Sequence, residues 1–157
     1  MQSYTVHYRF SQRFSVPAKD AFAWAIDYDT EDINLMGLNG KRDIERIDKY
    51  TLILDDTFFA GGRTTKKRRL IRLFPELLVL TNTRLSGPNR YSQFLYQFVD
   101  EGKGKSRLDF SGAQVNSSKT RPTPSRIAAL GREYARADSA LWFNLAEAME
   151  RDLGARR

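Results

Sequence analysis

Apolar and polar residues alternate at the start of the chain, and this alternation indicates a strand with one buried face. The apolar residues occupy even positions, namely Tyr4, Val6, Tyr8, Phe10, Phe14 and Val16. The odd positions between them carry polar side chains, namely His7, Arg9, Ser11 and Arg13. Successive side chains of a strand point to opposite faces of the sheet. The pattern therefore predicts a strand over residues 4–16 that buries Tyr8 and Phe10 and exposes His7.

Two short helices are predicted directly after this strand. Pro17 ends the strand and suits the first turn of a helix, where its missing backbone donor is not needed. Ala18, Phe22 and Ile26 then recur at helical spacing. A second short helix is expected from about Glu31 to Leu38, closed by Asn39-Gly40, because glycine and asparagine favour turns.

Six further strands are predicted between Lys41 and Asn116. They cover residues 42–47, 51–59, 64–74, 77–85, 91–99 and 106–115. The segments between them are short and contain turn-forming residues such as Gly61-Gly62 and Pro75-Glu76. Short connections favour antiparallel neighbours. We interpret Gly61-Gly62 as a plain hairpin turn, with a gating loop as the alternative.

A long amphipathic helix is predicted from Arg126 to Leu153. A polar segment with two prolines, residues 116–125, precedes it, and Ser125 is the expected N-cap. One side of the helix carries Leu141 and Leu145, with aromatic residues beside them. A curved seven-stranded antiparallel sheet around this helix would bury every apolar face, which is an α+β arrangement. At 157 residues the chain is expected to form a single domain, residues 1–157.

This order of elements and two local segments resemble a known superfamily. Residues 14–22 (FSVPAKDAF) are similar to its entry from strand to helix, and residues 104–110 (GKSRLDF) to its last strand. On these features the chain resembles the START/Bet v 1-like (SRPBCC) superfamily, in particular polyketide cyclase/dehydrase-like helix-grip proteins. The resemblance implies a cavity between the sheet and the C-terminal helix that holds a small apolar or amphipathic molecule.

Two functions follow from the resemblance, because the same cavity serves both in different relatives. Some relatives only bind or carry a ligand, and this is our leading hypothesis. Others catalyse cyclisation, dehydration or hydrolysis, and a cyclase/dehydratase-type enzyme is therefore the alternative. A fold alone does not decide between them.

The composition excludes several kinds of site. The chain has no cysteine and one histidine, which excludes disulfides, zinc-thiolate sites, thiol nucleophiles and sites that need two imidazoles. We therefore expect no metal and no cofactor. With His7 on the outer face of the sheet, a Ser-His-Asp triad is not expected either. The sequence has no apolar run of 18 residues and no signal-peptide core, and we expect a cytoplasmic protein.

The formal charge of +7 is concentrated in one part of the chain. Residues 60–110 carry 11 basic and 4 acidic side chains, and the rest of the chain sums to zero. The densest cluster comprises Arg63, Lys66, Lys67, Arg68, Arg69 and Arg72. It raises a third hypothesis, a binding surface for RNA, the ribosome or an anionic membrane. Alternation along a strand would divide these residues between two faces, which weakens that hypothesis.

Asp138 is the strongest candidate for site chemistry, because the helical wheel places its carboxylate on the apolar side of the long helix. It could bind a ligand hydroxyl or act as an acid/base with a raised pKa, with Tyr134 as the candidate second group. The alternatives are an ion pair with Arg84 or Arg72, or a position in water at the cavity mouth. The predicted ligand contacts are Tyr8, Phe10, Tyr96, Phe98, Phe110, Tyr134, Asp138, Leu141, Trp142 and Leu145.

Overall fold

Seven strands and three helices make up residues 1–154, the part of the chain that the computed structural model describes. The strands are β1 (Gln2–Phe14), β2 (Gly40–Asp48), β3 (Thr51–Ala60), β4 (Arg63–Phe74), β5 (Val79–Arg84), β6 (Gln93–Gly102) and β7 (Lys105–Ser118). The helices are α1 (Ala18–Ile26), α2 (Asp32–Leu35) and α3 (Pro124–Gly154). None of these helices combines the length and the apolar character that crossing a bilayer requires.

The strands form one antiparallel sheet in the order β1-β7-β6-β5-β4-β3-β2. Strands β2 to β7 follow one another as hairpins, whereas β1 pairs along its whole length with β7, from Gln2 opposite Ser118 to Phe14 opposite Ser106. Helix α3 packs against β1 and the concave face of the sheet. This confirms the predicted seven-stranded antiparallel sheet around a long C-terminal helix, with two short helices after the first strand.

The apolar core lies where α1 and the C-terminal half of α3 meet the sheet. The residues buried there include Phe14, Phe22, Leu52, Leu54, Ile71, Phe98, Leu108 and Met149. At its other half, α3 approaches β1 closely at Gly131, where an added Cβ would lie 3.0 Å from the carbonyl oxygen of His7. The N-terminal half of α3 therefore closes one end of the sheet by direct contact.

Several predicted boundaries are wrong. The strand expected from residue 77 begins at Val79, because Pro75–Leu77 forms a 3₁₀ turn and Leu78 then takes a left-handed backbone conformation (φ 53°). Strand β1 ends at Phe14 rather than residue 16, and α2 is confined to Asp32–Leu35. The predicted turn at Gly61-Gly62 is present, with φ angles of 57° and 74° that favour glycine.

The N-cap of α3 is Thr123 rather than the predicted Ser125. The Thr123 hydroxyl accepts a hydrogen bond from the backbone N–H of Arg126 at 3.2 Å, and its carbonyl accepts one from Ile127 at 3.0 Å. Pro124 then occupies the first helical position, which tolerates the loss of a backbone donor. Strand β7 also continues to Ser118, so the connection to α3 is shorter than the predicted residues 116–125.

Candidate functional site

Two adjacent chambers lie between the concave face of the sheet and α3. The outer chamber has a volume of about 260 Å³, and its walls include Tyr8, Phe58, Lys67, Arg84, Asp138 and Leu141. The inner chamber, of about 90 Å³, lies towards α1, and its walls include Trp24, Tyr28, Arg42, Leu54, Ile71 and Leu145. Both chambers share a wall formed by Met36, Arg69, Asn82, Tyr96 and Trp142. The predicted region between sheet and helix therefore contains space of ligand size.

Six of the ten predicted contact residues line these chambers. Tyr8, Tyr96, Asp138, Leu141 and Trp142 line the outer chamber. Leu145 lines the inner chamber, together with Tyr96 and Trp142. The strand of Tyr96, which is apolar on both faces, thus turns this residue towards α3. Contact between these residues and a ligand stays a prediction.

The other four predicted contact residues pack in the core instead of lining a chamber. Phe10 stacks on Phe110, with ring centroids 4.6 Å apart, and Phe98 stacks on Phe14 at 6.0 Å. The Tyr134 hydroxyl accepts a hydrogen bond from the side-chain amide of Asn116 at 2.8 Å. The three phenylalanines point inward as strand alternation requires, but other side chains already fill the space in front of them. His7 is exposed on β1, as predicted.

Asp138 faces Tyr8 across the outer chamber, and the two side chains form a short hydrogen bond. The Tyr8 hydroxyl donates to Asp138 Oδ2 at 2.6 Å. Burial raises the pKa of Asp138 above its ordinary value, although the hydrogen bond from Tyr8 opposes the shift. Burial and the neighbouring carboxylate also raise the pKa of Tyr8. The pair therefore holds a carboxyl group that keeps its proton to higher pH than an exposed aspartate does.

The two arginines considered as ion-pair partners of Asp138 do not fill that role. Arg72 is exposed and lies between the inward-facing Ile71 and Leu73, so its side chain points away from α3. Arg84 lines the same chamber as Asp138, but within residues 1–154 no ion pair of 4.0 Å or less joins Asp138 to any basic group. The partner of Asp138 is Tyr8, whereas Tyr134, the candidate second acid/base group, bonds to Asn116.

A buried ion network supports the wall of the inner chamber, and sequence reasoning did not find it. The Asp56 carboxylate accepts hydrogen bonds from Arg42 Nε at 2.7 Å and Arg42 Nη2 at 2.9 Å, and also from Arg69 Nη2. A second carboxylate, Asp32, accepts from Arg42 Nη1 at 3.0 Å. Arg42 and Asp56 are only 4% and 1% exposed.

The pKa of Asp56 in this network depends on its contacts with Arg42 and Arg69. Burial alone would raise the pKa of Asp56, but the hydrogen bonds from Arg42 and the positive charges of Arg42 and Arg69 outweigh it and lower the pKa. Burial raises the pKa of the neighbouring Tyr28 to about 12. The alternation of Leu52, Leu54 and Asp56 along β3 could have indicated a buried carboxylate at this position.

The basic cluster of β4 is divided between the two faces of the sheet. Lys67 and Arg69 point into the outer chamber, whereas Lys66, Arg68 and Arg72 are exposed on the opposite side. Arg68 also lies 3.8 Å from a carboxylate oxygen of Glu45 and 3.9 Å from one of Asp55. Binding of nucleic acid or an anionic membrane stays a prediction, now with fewer residues on the outer face to support it.

The chamber walls contain buried polar atoms without partners. Within the described part of the chain these are Arg69 Nε, Arg84 Nε and Asn82 Oδ1. Burial and the charge of Arg69 lower the pKa of Arg84. Buried donors and acceptors almost always have partners, because an unsatisfied one costs roughly 1–3 kcal/mol. The three residues that carry these atoms line the outer chamber. No group of three or more His, Asp or Glu side chains in residues 1–154 is arranged to hold a metal ion.

Comparisons with known proteins identify the fold. No family model and no curated protein sequence matches the chain. The Zhui aromatase/cyclase from Streptomyces sp. R1128 superposes with a TM-score of 0.77 at 13% identity, covering 96% of each chain. Truncated norcoclaurine synthase from Thalictrum flavum gives 0.72 at 14% identity, covering 94% of this chain and 95% of that one.

A third solved structure is the di-domain aromatase/cyclase of the steffimycin biosynthetic pathway. It gives a TM-score of 0.76 at 9% identity and matches 96% of this chain but 52% of its own length. Identities this low establish the fold alone. The chain has the helix-grip fold of START/Bet v 1-like (SRPBCC) proteins, as the resemblance implied.

Proposed function

We propose that the protein binds a small amphipathic molecule that carries an acidic oxygen group, such as a carboxylate. The observation that carries this proposal is the set of unpaired buried atoms, Arg84 Nε, Arg69 Nε and Asn82 Oδ1, at the wall of the outer chamber. A carboxylate accepts hydrogen bonds from both arginines, and charge-assisted hydrogen bonds of this kind are the strong ones. The protonated acid or a hydroxyl group of the ligand can donate to Asn82.

The charge of the chambers also supports an acidic ligand. Four basic side chains line the walls, namely Arg42, Lys67, Arg69 and Arg84. The carboxylates of Asp32 and Asp56 balance Arg42 and Arg69 through direct contacts, whereas Lys67 and Arg84 have no such partner among the described residues. The hydrogen bond of Asp138 goes to Tyr8 rather than to either of these cations, and burial raises the pKa of Asp138. An anionic ligand would compensate the remaining positive charge.

The apolar part of the ligand would lie against the aromatic wall between the chambers. Tyr96 and Trp142 form this wall, and Leu141 and Met36 continue it. Burying about 100 Å² of ring surface there contributes roughly 2.5 kcal/mol. At about 260 Å³ the outer chamber is near the lower end of ligand pockets, so the proposal favours one or two rings rather than a long chain.

Two matched aromatic probes test this proposal. We expect 2-naphthoate to bind more tightly than its neutral amide, measured by calorimetry and by quenching of tryptophan fluorescence. Arg84→Met should weaken naphthoate binding by about 10-fold or more, because it removes a charge-assisted hydrogen bond. Arg72→Met changes the same residue type on the outer face and should have no effect. Equal affinities for 2-naphthoate and its amide, or equal losses of naphthoate affinity in Arg84→Met and Arg72→Met, would contradict the proposal.

The Tyr8–Asp138 pair favours a second candidate function, an acid/base enzyme. Such an enzyme needs two interior groups within hydrogen-bonding distance, and these lie 2.6 Å apart. Two of the solved structures above are aromatase/cyclases. A test is proton–deuterium exchange at the methyl ketone of 4-acetylbenzoate, followed by NMR. The enzyme hypothesis predicts faster exchange with the protein and its loss in Asp138→Asn; an unchanged rate in that variant would exclude this role.

A further inference from the structure

Lys67 occupies a position that differs from that of every other lysine in the described chain. Its side chain lies in the inward-facing row of β4 and reaches the outer chamber. Its Nζ lies 5.2 Å from the ring centroid of Phe58, and within residues 1–154 it has neither an ion pair nor a hydrogen bond. The adjacent Lys66 points to the outer face and is exposed.

The environment of Lys67 as a whole disfavours its charged form. The charged groups around it are Asp56 on β3, Arg69 on β4, Arg84 on β5 and Asp138 on α3. Burial, followed by the positive charges of Arg84 and Arg69, lowers the pKa of Lys67 to about 8, while the two aspartates oppose the shift. A buried lysine beside other cations is a recognised way to obtain a nucleophilic amine at neutral pH.

We infer that Lys67 is a nucleophile that forms an imine with an aldehyde or ketone bound in the outer chamber. The inference rests on the proposed function for the position of the ligand, since the acidic group on Arg84 would hold the carbonyl beside Lys67. The substrate class is therefore an oxo acid with an apolar body.

The reaction balances without any further reagent. The Nζ lone pair attacks the carbonyl carbon, and the π electrons of the C–O bond move to the oxygen. One proton passes from nitrogen to oxygen, and the oxygen leaves as water when the nitrogen lone pair forms the C=N bond. The Asp138 carboxyl, which faces the same chamber, donates the second proton that this departure needs, and the protonated imine then returns a proton to the carboxylate. One water is released for each imine, and nothing is oxidised or reduced.

Reductive trapping tests the inference on the full chain. The protein is incubated with 4-formylbenzoate and sodium cyanoborohydride at pH 7, and the adducts are located by peptide mapping with mass spectrometry. The free-amine fraction at pH 7 is roughly two orders of magnitude larger for a pKa of about 8 than for an ordinary lysine. We therefore expect labelling of Lys67 at least ~10-fold faster than labelling of Lys66, with a rate that rises through pH 8.

Two variants and a second aldehyde make the test specific. Lys67→Arg keeps the charge but cannot form an imine, so it should lose the rapid adduct, whereas Lys66→Arg should keep it. Benzaldehyde lacks the carboxylate and should label Lys67 at least ~10-fold more slowly than 4-formylbenzoate. Equal labelling of Lys66 and Lys67, or rapid labelling that persists in Lys67→Arg, would overturn the inference.

Binding of 2-naphthoate to the same preparations separates this inference from the proposed function. Naphthoate that binds through Arg84 without rapid labelling of Lys67 would refute the nucleophile and leave the proposed function standing. Rapid labelling of Lys67 without naphthoate binding would refute the proposed function and support the nucleophile. The circular dichroism spectrum of Lys67→Arg should match that of the parent chain, which shows that the variant is folded.

Discussion

Replacing Asp56 by asparagine should strongly destabilise the protein, because it removes the central anion of a buried network. The carboxylate accepts two hydrogen bonds from Arg42 and one from Arg69, and it is 1% exposed. The amide keeps the shape but turns one acceptor into a donor that faces an arginine. Removing one partner of a buried ion pair costs about 3–5 kcal/mol, and we expect a loss of free energy of unfolding in that range.

Urea unfolding measures the effect, with the fluorescence of Trp24 and Trp142 and the circular dichroism followed together. Asp55→Asn is the matched control, since its carboxylate is on the opposite face and its nearest arginine nitrogen lies at 3.9 Å. An exposed pair of this kind contributes about 0–1 kcal/mol. If Asp56→Asn costs no more than Asp55→Asn, the network does not stabilise the fold and the reasoning is wrong.

The pH dependence of the same variant provides a second check. Because the pKa of Asp56 is lowered in the folded protein, its contribution is fully present above the ordinary aspartate pKa of about 3.9 and is lost as the pH falls through the folded-state value. The difference in stability between the parent chain and Asp56→Asn should therefore be constant above about pH 5 and shrink in acid. A difference that grows in acid would have the wrong sign.

Three further predictions follow from single contacts. Lys67→Met should raise the free energy of unfolding at pH 7 by up to about 3 kcal/mol. The parent chain should gain stability between pH 8 and pH 10.5, because the folded lysine has lost its proton there and the unfolded one has not. The variant should lack this gain. Gly112→Ala should cost about 1–3 kcal/mol in urea unfolding, because the added Cβ would lie 2.9 Å from the Phe94 ring and 3.0 Å from that of Tyr8. Thr123→Ala should cost about 1 kcal/mol through loss of the N-cap, whereas Ser125→Ala should leave the melting temperature unchanged.

The order of β2 to β7 was predictable because period-2 alternation and short turns determine it locally, whereas the pairing of β1 with β7 is long-range and was not predicted. The same alternation places Tyr8 and Phe10 on one face of β1, yet only Tyr8 reaches the chamber. The difference depends on where α3 leaves space and where Phe110 fills it, which are properties of the packed molecule. Tyr134 and Asp138 illustrate the same limit, since they lie one turn apart on α3 and bond to different strands.

The polar part of the site was harder to predict, because the sequence around these residues also has an ordinary structural explanation. Lys67 and Arg69 belong to a basic run that also suits a solvated hairpin, and Arg84 was considered only as a partner for Asp138. Their common position depends on the registers that place Asp56 opposite Lys67 and Arg69 opposite Arg84. A register across three strands is a long-range property, since it is set by which faces are buried in the assembled sheet.

The pairing of β1 with β7 has a consequence for how the molecule is made. Strand β1 leaves the ribosome before its partner β7 is made, and α3, which covers β1, follows later still. Pairing between residues so distant in the chain slows folding, because the loop must close before any contact is gained. Until then β1 presents an apolar face and unpaired backbone groups, which are features that promote aggregation. Chains that end before Lys105 should therefore depend on chaperones to stay in solution.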